Sequence, residues 1–397
     1  MNVSDFLDEV STNILQFFYG NVIDYIYRER FRKVGAEIKT EINSSESNGI
    51  VALEILPYDR LDRIIVSGMD CDFKIPIPNS YKWDLKKNRF FTDRQEGSGS
   101  MRNGILFKKL KEFISVNYNG KLQDNINNYI KIHVENTAKK FRDSLMKGEA
   151  KSNNTILGVN SIIPNNGNIE INMFTTDYFT YNCIVSLYQS LYAIDKIPFK
   201  VSSVEDIGRI SPFVCCLAVG GFLNINIDGT SGTLISKRST TVLNPDRWHA
   251  SFDETFDIRD TGIEQGACPS IEICLQRGLF EELHLIYDPP KYKIRNVILF
   301  LIQTEGRLES EIFLSMDYGL NTIKEIDALI YNVNCASDAE NENSKMLLIP
   351  TEDIVPFYEK KIQESEVVSP IAYELAKAYA KLDSKLSFFN KLRLWKG

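Results

Sequence analysis

The segment Arg277-Gly278-Leu279-Phe280-Glu281-Glu282-Leu283 decides how this chain is read. It follows a helix start expected at Pro269 and leads into a short apolar run. At about 100° per residue, Ile271, Cys274, Leu275, Gly278, Leu279 and Leu285 share one broad apolar side of the helix. Glu282 falls inside that stripe, and Glu281 lies at its edge. A carboxylate on a core-facing side needs a compensating cation, either Arg277, a divalent metal or both. Arg277 and Glu281 stand four residues apart and can touch on the helix surface. Gly278 costs about 1 kcal/mol relative to alanine inside a helix. Its presence predicts that a strand or loop approaches the helix closely there.

Strand patterns surround this helix. An apolar run over 213–227, the turn Asp228-Gly229-Thr230-Ser231-Gly232 and a returning strand over 233–238 precede it. Strands are expected at 292–303, 311–316 and 346–350, and helices at 322–331, 351–363 and 369–391. Thr351 is the expected cap of the second of these helices. Ahead of position 200 the pattern is mixed. Helical spacing covers 3–32, 106–116, 126–147 and 179–194, strands are expected at 49–56 and 61–66, and a hairpin turns around Pro164-Asn165-Asn166-Gly167. The chain therefore predicts an α/β protein. An N-terminal α+β accessory unit over 1–200 precedes an α/β/α sandwich over 205–365, and a C-terminal helix occupies 366–397.

The central segment resembles the box of the Nudix hydrolases, G-x5-E-x7-R-E-U-x-E-E-x-G-U, in which U is aliphatic. Arg277, Glu281, Glu282 and Leu285 fall on its positions. Trp248-His249-Ala250-Ser251 is similar to the W-x-x-S approach to the box in Nudix-like proteins, and Met346-Leu347-Leu348-Ile349-Pro350 to the strand that closes the domain. The resemblance covers about 212–361. It implies that Glu281 and Glu282 ligate Mg²⁺, that Arg277 orients a carboxylate, and that a diphosphate bridge is hydrolysed. Arg238 at a strand end and Trp248 are the candidate phosphate and base contacts. The departures are as specific as the matches. The family's upstream glutamate falls on Pro269 and its glycine on Ile263; the acid after the arginine is Gly278, and the late glycine is His284. Glu254 or Glu264 is the expected replacement for a missing acid.

Composition narrows the classes. A formal net charge of -7 argues against a nucleic-acid surface dominated by phosphate contacts. Seven scattered cysteines without a C-x-x-C pair argue against a disulfide framework or zinc site and fit a reducing cytoplasm. The apolar stretch 14–27 is too short to span a bilayer and is interrupted by Asn21 and Asp24.

Two functions follow as expectations. One is a Mg²⁺-dependent hydrolase of a nucleoside diphosphate derivative. The other is a catalytically degenerate Nudix-like module for nucleotide sensing or interaction. An isomerase on the same fold would need a reactive group such as Cys268 at the site. The partner is expected to be a nucleotide-derived small molecule, with oligomerisation left open.

Overall fold

A computed structural model describes residues 51–58, 61, 64–81, 104–118, 122, 125–147, 153–165, 168–195, 199, 204–227, 230–238, 246–261, 268–287, 291–303, 308–319, 343–369, 372–377 and 379–380. The helices expected at 3–32 and 322–331 lie outside these residues, as do Glu264 and the tip Asp228-Gly229.

The chain is α/β with two mixed sheets. In the larger sheet β5 (Leu217–Ile227) is central. It runs parallel to β10 (Leu308–Gly319) and antiparallel to β6 (Thr230–Arg238). Beyond β10 come β9 (Tyr292–Gln303) and then β1 (Val51–Tyr58), both antiparallel to their neighbours. β6 also takes β11 (Asn343–Pro350) along its other edge.

Side chains alternate across this sheet with period two. Leu217, Val219, Leu223, Ile225, Leu234, Ile312, Leu314 and Met316 point to one core. Phe222, Ile235 and Phe313 point to the opposite one. The first face is covered by α5 (Ile271–Leu283) through Cys274, Leu275 and Leu279. The second is covered by α6 (Ile354–Gln363) through Ile354 and Tyr358, and then by Ala372, Leu375, Ala376 and Tyr379. Helices on both faces of a sheet form the expected α/β/α layering.

Between β5 and β6 the sheet forks. β7 (Arg247–His249) pairs with β6, and β8 (Phe252–Thr255) pairs with β5. Ser251 sits at the fork. Its hydroxyl donates to the Leu234 carbonyl at 2.5 Å and accepts from the Leu223 N–H at 2.8 Å. The W-x-x-S segment is thus a structural hinge of the sheet, and its serine bridges the one ladder bond, Leu223 N–H to Leu234 O, lost where the strands diverge. Ser251→Ala would strand a buried N–H and a buried carbonyl and should cost about 2–3 kcal/mol, read by urea denaturation.

The smaller sheet has the order β2 (Ile64–Asp72), β4 (Asn168–Asp177), β3 (Thr155–Asn165). The β3–β4 hairpin is the one expected around Pro164. Helices α1 (Ile105–Tyr118), α2 (Ile126–Met146), α3 (Tyr178–Ile194) and α4 (Val204–Ile210) accompany it. Backbone pairing crosses the boundary expected near residue 200. β1 joins β9, Val159 N–H donates to Val214 O at 2.9 Å, and Leu157 N–H donates to Phe256 O at 3.0 Å. One apolar core runs through both sheets.

Two helix starts differ from expectation. Pro269 lies outside α5, which is capped by the Ser270 hydroxyl accepting from Ile273 N–H. Thr351 does not cap α6. It begins a short 3-10 turn, and its hydroxyl is bonded to that of Thr233. In both cases a tertiary or local hydroxyl partner outweighs the position favoured by sequence statistics.

Candidate functional site

The site is built where α5 crosses β8. Gly278 is buried at the crossing. A Cβ placed on it would lie 2.7 Å from Cβ of Glu254 and 3.5 Å from the Phe252 ring. The glycine thus serves contact between helix and strand, as its helical cost suggested. It also means that the position where the family carries an acid is filled by the neighbouring strand.

Glu282, placed by the helical wheel within the apolar stripe, is 4% exposed. Its Oε1 accepts from the Asp253 N–H at 2.9 Å. The buried carboxylate therefore fastens α5 to the backbone of β8. Glu281 is 26% exposed and pairs with two arginines. Arg277 Nη1 lies 3.4 Å from its Oε2, and Arg259 Nη1 lies 3.1 Å from its Oε1.

Arg277 is the hub. Its side chain is 10% exposed, and all three guanidinium nitrogens have acceptors. Nε and Nη2 fork onto Asp260 Oδ1 and Oδ2 at 2.9 and 2.8 Å. Nη2 also donates to the Thr255 carbonyl at 2.7 Å. Nη1 lies 2.5 Å from Glu254 Oε1 and reaches Glu281. Burial works against this charge, yet the Asp260 hydrogen bonds and the Glu254 carboxylate outweigh it, and the guanidinium is held more basic than usual. Glu254 is one of the two acids expected to substitute for the family's missing glutamate. Asp260 was not anticipated. The signal for it is the pattern Asp257-Ile258-Arg259-Asp260, a reciprocal cap in which Asp260 Oδ2 accepts the Asp257 N–H while Asp257 accepts from Arg259.

At the other end of α5, His284 adopts the left-handed conformation at φ 54°. Its N–H bonds to Phe280 O, and the Leu285 N–H bonds to Leu279 O. This is the helix ending for which the family's glycine is suited, kept here by a histidine whose ring stacks on Phe280 with centroids 5.2 Å apart.

The remaining expected site residues part company. Arg238 lies 3.6 Å from Asp253 Oδ2, which His249 Nε2 approaches at 3.5 Å. Arg238 thus neighbours the strand residue whose N–H Glu282 holds. Trp248, expected at a ligand base, is buried on the α6 side of the sheet, 2% exposed, with its ring against Phe357. Its indole N–H donates to Glu366 at 2.8 Å, and Lys237 and Lys361 sit over the ring. Strand alternation separates it from the α5 face, so it is a core residue. Those two lysines and the indole hydrogen bond hold the Glu366 carboxyl well below its usual range, at about 2.

The donor set does not fit the Mg²⁺ implied by the resemblance. Mg²⁺ requires near-octahedral oxygen ligands at about 2.1 Å. Among the described residues no three His, Cys, Asp or Glu side chains are grouped to hold a metal. The carboxylates that converge here, Glu254, Asp260 and Glu281, do so on a guanidinium. Glu282 faces a backbone amide, and the position between it and Arg277 has no room for an acid.

No family model and no curated protein matches the sequence. Among solved structures the chain is similar to a Nudix hydrolase from M. smegmatis, RenU, at 10% identity and a TM-score of 0.27, covering 42% of this chain and 85% of that one. It is similar to a C. elegans Ap4A hydrolase at 10% identity and a TM-score of 0.27, over 43% and 98% of the two chains. It is also similar to the NUDIX domain of Shewanella oneidensis NrtR complexed with ADP ribose, at 14% identity and a TM-score of 0.24, over 42% and 87%. The first and third of these are Nudix proteins by name. Likenesses this remote decide neither fold family nor activity, which rest on the geometry above.

Proposed function

We propose that the α/β/α part of this chain is a Nudix-like module that has lost metal-dependent hydrolysis and acts as a ligand-sensing or interaction module, with a nucleotide-derived small molecule as its partner. The observation that carries this reading is the state of the box helix. Arg277 is committed to Glu254, Asp260 and Glu281, and Gly278 is packed against Glu254. A hydrolase of this type needs an acid cluster open to a cation and a water. Here the cluster is closed by a side chain of the protein itself. Arg238, at the end of β6 beside Asp253, is the phosphate contact in this reading.

The experiment compares binding with turnover. The full chain is incubated with ADP-ribose, dinucleoside polyphosphates and nucleoside diphosphate sugars, with and without Mg²⁺. Product release is followed by chromatography, and binding by calorimetry. Saturable binding without product, weakened at least about tenfold by Arg238→Ala, is the expected result. Mg²⁺-dependent product formation that disappears in a Glu281→Gln/Glu282→Gln double variant would sink the proposal and restore the hydrolase.

A further inference from the structure

A cavity of about 360 Å³ lies in the N-terminal half, where α1 passes α4. We propose that it binds a small organic carboxylate with an apolar body, the carboxylate on Lys109 and the body over Phe113 and Val116. The inference rests on other residues than the α5 site and does not depend on the nucleotide-derived ligand proposed above.

α1 buries Leu106, Phe107, Leu110, Ile114 and Tyr118 in the core. A neighbouring stripe, Lys109, Glu112, Phe113 and Val116, recurs at helical spacing and lines the cavity together with Gly208 and Arg209 of α4. A space of this volume suits a small ligand. Its floor is apolar and fixed in place. The Phe113 ring packs against Phe199 and Phe213, with centroids 5.2 and 5.4 Å away, while Val116 is left 77% exposed.

Two observations point to a ligand. The first is Lys109, which is half-buried. Its Nζ donates to neutral acceptors, Gly208 O at 3.2 Å and Asn160 Oδ1 at 3.5 Å, and among the described residues no carboxylate pairs with it. An ammonium has three donors, so one donor and an uncompensated charge remain at the cavity wall. A carboxylate there would complete both. The second is Gly208. Glycine inside a helix is unfavourable unless the space above it is needed. A Cβ built on Gly208 would meet no described atom closer than Asn160 O, at 4.0 Å. Unlike Gly278, this glycine serves no close approach between elements; it keeps the cavity open. Arg209 is a weaker second cation, because its Nη1 already pairs with Asp206 at 3.2 Å. Exposed Glu112 opposes further negative charge, which favours a monoanion over a polyanion.

The test is calorimetry and saturation-transfer NMR on the full chain with 3-phenylpropionate and hexanoate as probes. Phenethylamine is the control for the body without the anion, and inorganic phosphate for the anion without the body. The two carboxylates should bind saturably with a Kd below about 1 mM, and both controls at least about tenfold more weakly. Lys109→Gln should weaken the carboxylates at least about tenfold, through loss of a charge-assisted hydrogen bond. Glu112→Gln should tighten them by about twofold, as removal of an exposed like charge does. Gly208→Leu should fill the cavity and abolish binding, with a thermal midpoint at or above that of the wild type. Failure of the wild type to bind either carboxylate at about 10 mM would overturn the proposal. So would carboxylate binding that Lys109→Gln and Gly208→Leu leave unchanged, or phenethylamine bound as tightly as 3-phenylpropionate. If Gly208→Leu does not fold, Lys109→Gln decides alone. Nucleotide binding or turnover in the functional assay reads Arg238 and the box helix, so the two proposals fail separately.

Discussion

Gly278→Glu, which writes the missing acid back into the box, is expected to cost about 4 kcal/mol of stability and to create no hydrolase. The new Cβ would come within 2.7 Å of Glu254 Cβ, an atom fixed to the backbone of β8 that cannot swing away as a side-chain end would. Either α5 or β8 must move, and each carries part of the apolar core. The added carboxylate would also stand four residues before buried Glu282 and beside Glu254, with Arg277 already committed. Overpacking accounts for about 1–3 kcal/mol of the loss, and an uncompensated buried charge for the rest. Gly278→Ala separates the two contributions. In an open helix it would stabilise by about 1 kcal/mol; here it should destabilise by about that amount, because the close contact outweighs helix propensity. Urea unfolding measures both variants. A folded Gly278→Glu protein with Mg²⁺-dependent turnover would show that the helix and strand can separate to make room for chemistry.

The second large effect lies away from this site. Asp177 ends β4 and caps α3, with Oδ1 accepting from Thr180 N–H at 2.7 Å. The residue is fully buried, and Oδ2 has no hydrogen-bond partner among the described residues. Burial raises its carboxyl pKa from 3.8 to about 6, against the lowering effect of the Thr180 bonds. The sign follows from which form the fold prefers. A folded pKa above the unfolded one means that the neutral acid is favoured by folding. Its contribution is complete below pH 3.8 and is lost as pH rises through 6. Across that window the stability should fall by up to about 3 kcal/mol on account of this one group. Asp177→Asn cannot titrate but still caps the helix. The difference in stability between pH 4 and pH 8 should therefore shrink by about 2–3 kcal/mol in the variant, whatever constant offset the amide introduces. Parallel pH profiles for the two proteins would show that Asp177 is charged in the fold at no unusual cost.

Much of the local structure was legible in the sequence for simple reasons. The apolar run over 213–227 and the turn that follows it located β5 and β6, strand-like runs located β9 and β10, and alternation around the Pro-Asn-Asn-Gly turn located the β3–β4 hairpin. The helical wheel of α5 placed Glu282 in the buried stripe, and 4% exposure is what the structure gives. Helix periodicity fixes which face a residue occupies before any partner is known. The same reasoning read Gly278 as a point of close approach.

Partners were another matter, because they come from elsewhere in the chain. The wheel required a counter-charge for Glu282 and could offer only a cation; the fold supplied the Asp253 amide. Spacing joined Arg277 to Glu281, but Asp260, 17 residues away, takes the two-pronged contact. Trp248 looked available for stacking until strand direction turned it to the α6 face. The sequence by itself determined the α/β class, the helix that carries the box and the faces its residues take, since these follow from the 3.6 and 2.0 residue periods. Only the tertiary structure decided which cation neutralises the acids. A carboxylate's charge needs compensation over a few ångströms of space, and residues far apart in the chain filled that space with a guanidinium.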